Sequence, residues 1–241
     1  MNPPRPLDKV RIVLSHTSHP GNIGATARAM KTMGLGILYL VNPKFFPDKE
    51  AERRAAGARE ILDTAVVCAS MEEALKGTTL AAAVTARPRD LSHEVFDARQ
   101  GALEVLVHGR QAPVALVFGN ETAGLTMAEA SKCQIFVHIP ASPEYSSLNL
   151  ASAVQVMAYE LRMSMRLADL APLSRQANLA ATFDDIELLY RHLERLAISS
   201  GFLNVKEPRR FEQRVRRLFA RARFEKEEVS MLRGLLSALE K

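Results

Sequence analysis

Three stretches of this chain set chemically capable side chains at fixed spacing. In HPGNIGATARAM, Asn22, Gly24 and Arg28 follow a short apolar run, and Arg28 is a cation close to where that run ends. In VALVFGNETAGLT, a second apolar run delivers Gly119, Asn120 and Glu121. In HIPASPEYSSLNLAS, Ser146, Ser147 and Asn149 gather before a long helical pattern. A cation, a carboxylate, amides and hydroxyls at neighbouring strand ends can form the rim of a ligand pocket. Metal chemistry is not expected, because the six histidines show no ligand spacing. Cys68 and Cys133 have neither CxxC nor Cys/His metal spacing and read as buried free thiols in a reducing compartment.

Each stretch also has a plainer reading. GNIGATAR looks like a phosphate cradle through its glycines, but GxxxxGK[ST] and GxGxxG are both absent. A GxxG clamp of the KH type joins two helices, whereas this one follows a strand. Spacing alone therefore leaves a tight strand-to-helix turn made by the glycines, with Asn22 as N-cap. Arg28 would then be a surface cation placed early in a helix, where the macrodipole does not favour it. Against this, Ile23, Ala27 and Met30 form a buried stripe, leaving Arg28 and Lys31 on the opposite side near a strand's carboxyl end. Open α/β sheets bind ligands there. Glu121 reads equally as an exposed loop acid or as a group that holds an arginine. Ser146, Ser147 and Asn149 also suit ordinary N-capping, and without GxSxG a serine hydrolase is not supported.

The elements that must position these residues alternate. Short apolar runs at 10–16, 37–41, 64–68, 79–84, 113–118 and 135–139 predict parallel strands covered on both faces. Helical patterns fall at 24–33, 48–57, 70–76, 97–107 and 126–132, with Thr126 and Glu129 forming a capping box. A long helix follows from about 148 to 169. This is an α/β domain over 1–169. Pro, Ser and Asn in APLSRQANLAAT mark a linker over 170–182. Residues 183–241 read as all-helical, with helices at 183–199, 208–223 and 226–240. In the second, Phe211, Val215, Leu218 and Ala222 form one stripe, and Arg210, Arg214, Arg217 and Arg221 another.

The chain has 241 residues, 47% hydrophobic and 24% charged, which suits a globular protein that needs no disulfides. No apolar run is long enough to span a bilayer, and MNPPRPLDK has no secretory core, so a cytoplasmic protein without membrane contact is expected. The net charge of +5 is local. Residues 1–170 carry 18 basic and 17 acidic side chains, while 171–241 carry 14 and 10, so +4 lies in the helical tail. Such a patch suits nucleic acid.

Together, Asn22-x-Gly24-x-x-x-Arg28, the run from Leu116 to Leu125 and the run from Ile139 to Asn149 resemble the three motifs of SPOUT-class RNA ribose 2′-O-methyltransferases. The phrases GNIGATARAMKTMG and PEYSSLNLASAVQVMAYE are most similar to the TrmJ type, as is the basic helical tail. Asn120 departs from that type, which favours arginine there. The resemblance implies a mostly parallel sheet with helices on both faces, a deep trefoil knot, and a small all-helical C-terminal domain. It also implies a homodimer acting on tRNA with S-adenosylmethionine and no metal, at nucleotide 32 of the anticodon loop. Another tRNA or rRNA ribose, or a catalytically silent RNA-binding protein, are the alternatives.

Carried onto this sequence, the cofactor contacts would be Thr85, Ala86, Gly119, Ile139, Ser146, Ser147, Leu148 and Asn149. Arg28 would be the catalytic arginine, supported by Asn22, Glu121, Ser147 and Asn149. A guanidinium stays protonated, so Arg28 would bind the target phosphate and stabilise the incipient alkoxide rather than act as base. His19 is a candidate proton acceptor. Arg87 and Arg89, with the Arg210, Arg214, Arg217 and Arg221 ridge, would contact the RNA backbone.

Overall fold

The computed structural model describes residues 6–86, 94–170, 180–203 and 208–240. Its centre is a seven-stranded sheet: β1 Val10–Ser15, β2 Ile37–Val41, β3 Val66–Cys68, β4 Leu80–Val84, β5 Glu94–Asp97, β6 Val114–Phe118 and β7 Ile135–His138. The strand order is β3-β2-β1-β6-β4-β7-β5, and all six strand pairings within this sheet are parallel. Alternation along each strand splits the core into two layers. Ile12, Leu14, Leu116 and Phe118 face one side, while Val13, Ala115 and Val117 face the other. Both faces are covered at the inner strands, which explains why β4 and β6 are apolar throughout.

The first layer is covered by helices α1 Pro20–Met33, α2 Lys49–Ala55, α3 Arg59–Asp63, α5 Ala98–Gly109 and α7 Leu150–Leu170; α4 Met71–Leu75 and α6 Met127–Ala130 cover the second. Two elements have no counterpart in the sequence reading. Strand β5 is a four-residue edge with mostly exposed side chains, so EVFD lacks a continuous apolar run. Helix α3 is a single short turn-rich segment after AGA.

The first helix also starts earlier than expected. Pro20 occupies its first turn and His19 is the N-cap, so Gly21, Asn22 and Gly24 are helical rather than a turn. Proline favours this position because the missing N–H would be unpaired there anyway. Asn22 is therefore no N-cap, and Arg28 sits mid-helix, beyond the end that the macrodipole argument concerned. Gly24 serves packing instead: a Cβ there would lie 2.1 Å from the Ala51 carbonyl oxygen, so α1 and α2 meet backbone to backbone. Ile23, Ala27 and Met30 are fully buried, as their spacing predicts. The Thr126–Glu129 capping box is present, and both cysteines are free and buried.

Helices α8 Phe183–Ser199, α9 Pro208–Ala222 and α10 Lys226–Leu239 form a separate small core around Leu189, Tyr190, Val215, Phe219 and Val229. On α9 the inward stripe is the half-buried Phe211 with the buried Val215 and Phe219; Leu218 and Ala222 are exposed. Spacings of seven and eight both return to one helical face, and the edge-to-face contact between Phe219 and Phe224 (5.2 Å between centroids) selects the latter. The extension is fastened to the sheet domain. Phe183 enters the second core layer, its amide donates to the Thr78 carbonyl at 2.8 Å, and Arg223 donates to Glu104 at 2.5 Å and Glu94 at 3.0 Å.

Candidate active site

β1 and β6 pair in register, Leu14 opposite Phe118, so the segments leaving their carboxyl ends run side by side. Glu121, on the segment after β6, turns its carboxylate toward the start of α1. It accepts hydrogen bonds from the Ser18 amide (3.0 Å), the Ser18 hydroxyl (2.8 Å), the His19 amide (3.2 Å) and Asn22 Nδ2 (2.9 Å). Asn22 Oδ1 then accepts from Asn149 Nδ2 at 3.0 Å. Asn149 Oδ1 accepts the amides of Ala151 (3.0 Å) and Ser152 (3.4 Å) at the start of α7.

This chain has a direction. An ionised carboxylate only accepts, so Asn22 must present its NH2 to Glu121. Its oxygen then faces Asn149, whose NH2 must answer, leaving the Asn149 oxygen for the helix end. Burial pushes the Glu121 carboxyl up, but the bonds from Asn22 and Ser18 outweigh it and hold it below the ordinary value. One charge thus orients groups from all three stretches. Ser18 was missed in the sequence; a serine just ahead of a Pro-started helix is the only local sign of it.

The loop after β6 is tightly curled. A Cβ on Gly119 would lie 2.1 Å from both Gly124 C and Leu125 N. Asn120 stabilises the curl: its Oδ1 accepts the amides of Thr122 (2.9 Å) and Ala123 (3.2 Å), and its Nδ2 donates to the His16 carbonyl at 2.7 Å. Beside this loop is a cleft of about 110 Å³. It is lined by Thr85, Ala86, Gly119, Ile139, Ser146, Ser147 and Leu148, seven of the eight residues expected to hold the cofactor. Asn149 is outside the lining, where its Nδ2 donates to Asn22. Glu121 and Asn120 supply polar edges, and among the described residues no lysine or arginine lines the cleft. Apolar walls with hydroxyls, backbone groups and one carboxylate suit a nucleoside attached to a cationic centre.

A larger cavity, about 290 Å³, lies between the sheet domain and the extension and contains Glu104, His108, Tyr190 and Arg216. Size favours that cavity, but none of the three stretches reaches it. The cleft sits where the carboxyl ends of the strands converge, so chemistry favours the cleft.

Arg28 is exposed and lies outside the cleft. Among the described residues it has no hydrogen bond or ion pair. Lys31, on the same side, is tied to the Gly57 carbonyl at 2.6 Å and to Glu60 at 2.5 Å. His19 contributes its amide to Glu121, and its ring has no partner among the described residues. Arg87 and Arg89 lie outside the described residues. On α9, Arg214 and Arg221 are exposed and Arg217 is half-buried, with no ion pair among the described residues. Arg210 lies on the same helix, but its side chain is not among those described. Sequence periodicity overlooked Arg216, which is 9% exposed, forks onto Glu187, and stacks 4.4 Å over the Tyr190 ring.

No described helix is long and apolar enough to cross a membrane. Residues 9–159 match the model of the SpoU rRNA methylase family, and 184–241 match that of the tRNA methyltransferase TrmJ C-terminal domain. The chain is 46% identical to the tRNA (cytidine/uridine/adenosine-2′-O-)-methyltransferase TrmJ of Pseudomonas aeruginosa, covering 98% of this chain and 95% of that protein. It is also 46% identical to the tRNA (cytidine/uridine-2′-O-)-methyltransferase TrmJ of Klebsiella pneumoniae, covering 97% of each. The crystal structure of TrmJ from Z. mobilis ZM4 superposes with a TM-score of 0.86 at 30% identity, covering 96% of this chain and 99% of that one.

Proposed function

Because this chain belongs to the SpoU methylase family and carries a TrmJ-type C-terminal domain, we propose that it methylates a ribose 2′-hydroxyl of tRNA using S-adenosylmethionine. The target in this reading is the pyrimidine at nucleotide 32 of the anticodon loop. The observation that carries it is the Glu121–Asn22–Asn149 relay, which ties three separate motifs into one site beside the cleft.

Bound in the cleft, S-adenosylmethionine would supply an electrophilic methyl group to the ribose oxygen. Thr85, Ala86, Gly119, Ile139, Ser146, Ser147, Leu148 and Asn149 are the residues proposed to hold and orient it, and the Glu121 carboxylate at the cleft suits its sulfonium. Arg28 is proposed to bind the target phosphate and stabilise negative charge growing on the 2′-oxygen. Its guanidinium keeps its proton, so the hydroxyl proton leaves to water, a phosphate oxygen or an imidazole such as His19.

Arg28 lies outside the cleft of its own chain, which fits a homodimer where each Arg28 serves the partner's cofactor. Tyr159, Met163 and Leu167 make an exposed apolar stripe along α7, a surface suited to such pairing. The trefoil knot belongs to the same proposal, supported by β6 inserting between β1 and β4 and β7 between β4 and β5. So do the division into 1–169, 170–182 and 183–241, the cytoplasmic location, and phosphate contacts from Arg87, Arg89 and the α9 ridge.

The test is direct. Purified protein, S-adenosylmethionine and unmodified tRNA are incubated, and digests are mapped by nucleoside mass spectrometry. A 2′-O-methyl pyrimidine at nucleotide 32 is expected. Methylation at another ribose moves the target only, and no methyl transfer to any tRNA rejects the proposal.

A further inference from the structure

The loop joining β2 to α2 carries two adjacent phenylalanines with opposite fates. Phe46 packs against the main core, while Phe45 stands 50% exposed at the carboxyl edge of the sheet. The contrast is imposed by a well-fastened backbone. Asn42 donates its amide to the Cys68 carbonyl (3.0 Å) and its side-chain NH2 to Ala69 (2.9 Å), and Asp48 caps α2 by accepting the Glu50 amide. The Lys44 amide donates to the Thr17 carbonyl at 3.0 Å. Thr17 precedes Ser18, whose amide and hydroxyl both bind Glu121. The ring is therefore held next to the segment that organises the site.

Lys44 adds charge: its Nζ lies 5.3 Å from the Phe45 ring centroid. The half-exposed ring thus carries an ammonium over it; an unpaired nucleotide can exchange its flat base for the ammonium on the ring and set its phosphate against the displaced cation. The three other exposed aromatic residues among those described have different settings, Tyr159 belonging to the apolar stripe of α7. Tyr145 sits in the loop that lines the cofactor cleft, and Phe202 sits on the extension. We infer that Phe45, with Lys44 beside it, is a stacking platform for an unpaired base of the RNA substrate near the methylated ribose. This rests on the tRNA methyltransferase reading and adds a substrate-positioning residue to it.

The test compares Phe45→Ala, Phe45→Leu and Phe45→Trp in the full chain. It measures tRNA dissociation constants, kcat and KM for tRNA, S-adenosylmethionine binding and thermal midpoint. Loss of base stacking predicts about a tenfold or greater loss of tRNA affinity for Phe45→Ala. Leucine, which keeps apolar area without a π face, should lose as much, and tryptophan should stay within about twofold of the parent. Cofactor binding and thermal midpoint should not move. Lys44→Gln should lower the slope of log affinity against log salt by about 1.

Wild-type affinity in Phe45→Ala, or full rescue by leucine, overturns the inference. The two readings fail separately. If the parent methylates tRNA while Phe45→Ala binds it unchanged, the platform falls and the enzyme reading stands. If the parent transfers no methyl but RNA binding still needs an aromatic residue at 45, the platform stands and the enzyme reading falls.

Discussion

Two glutamates organise the two halves of this molecule, and they do so differently. Glu121 at the sheet edge is held by two backbone amides, a hydroxyl and a carboxamide, all neutral. Glu187 in the extension faces the guanidinium of Arg216, and both side chains are 9% exposed. Neutral donors orient a carboxylate without cancelling its charge, so Glu121 still presents negative potential to a cationic ligand. The charge of Glu187 is neutralised inside the fold. The first arrangement suits a reaction site and the second a structural joint. Arginines follow the same division: Arg216 and Arg223 are consumed by ion pairs, while Arg28, Arg214 and Arg221 face solvent.

Breaking the structural joint should cost most in stability. Glu187→Ala leaves Arg216 buried with Glu212 (3.1 Å) as its one remaining ion-pair partner among the described residues, and should destabilise the extension by about 3 kcal/mol. Chemical denaturation should show a lower midpoint, with S-adenosylmethionine binding unchanged. Substituting the other glutamate should instead strike activity. Glu121→Gln must point its NH2 at one of the existing donors, misorienting Asn22 and Asn149, and kcat should fall about 100-fold. A larger effect on folding than on kcat would erase the distinction between the two glutamates.

Acid should loosen the fastening between the halves. The His108 hydrogen bond, against burial that pushes the other way and with Arg223 adding to it, lowers the Glu104 carboxyl to about 2. A depressed carboxyl stabilises the fold above its unfolded value near 4.5, and that contribution disappears as pH falls toward 2. Glu104→Gln should be less stable than the parent at neutral pH and show a shallower loss between pH 4.5 and 2, measured by thermal midpoint against pH. The smallest effect belongs to the free cations. Replacing Arg214 and Arg221 with glutamine should leave folding intact and reduce the salt slope of tRNA binding by about 2. An unchanged slope would make that ridge a solvated helix face.

Most of the sheet was legible because strands buried on both faces must be apolar throughout, as VALVF and ILYLV are. EVFD escaped because an edge strand need satisfy no such condition. The start of α1 is not legible locally because Gly21 and Gly24 suggest a turn after Pro20; packing against the Ala51 carbonyl, invisible in local sequence, is what Gly24 is for. On α9, periodicity could not choose between positions 218 and 219, since the partner helix decides. The site residues were legible as types, but not their wiring. Asn22 and Asn149 are 127 positions apart, and only the folded sheet reveals that each fixes the other's amide.

Arg28 is the residue on which the chemical account turns, because it is an exposed cation, unpaired among the described residues, on the helix that the Glu121 relay orients. The decisive measurement is single-turnover methyl transfer to tRNA by Arg28→Ala, with circular dichroism and S-adenosylmethionine binding on the same preparation. The account predicts normal folding and cofactor binding with the methyl-transfer rate reduced by about 100-fold or more. A variant that folds, binds cofactor and methylates at the parent rate would contradict it.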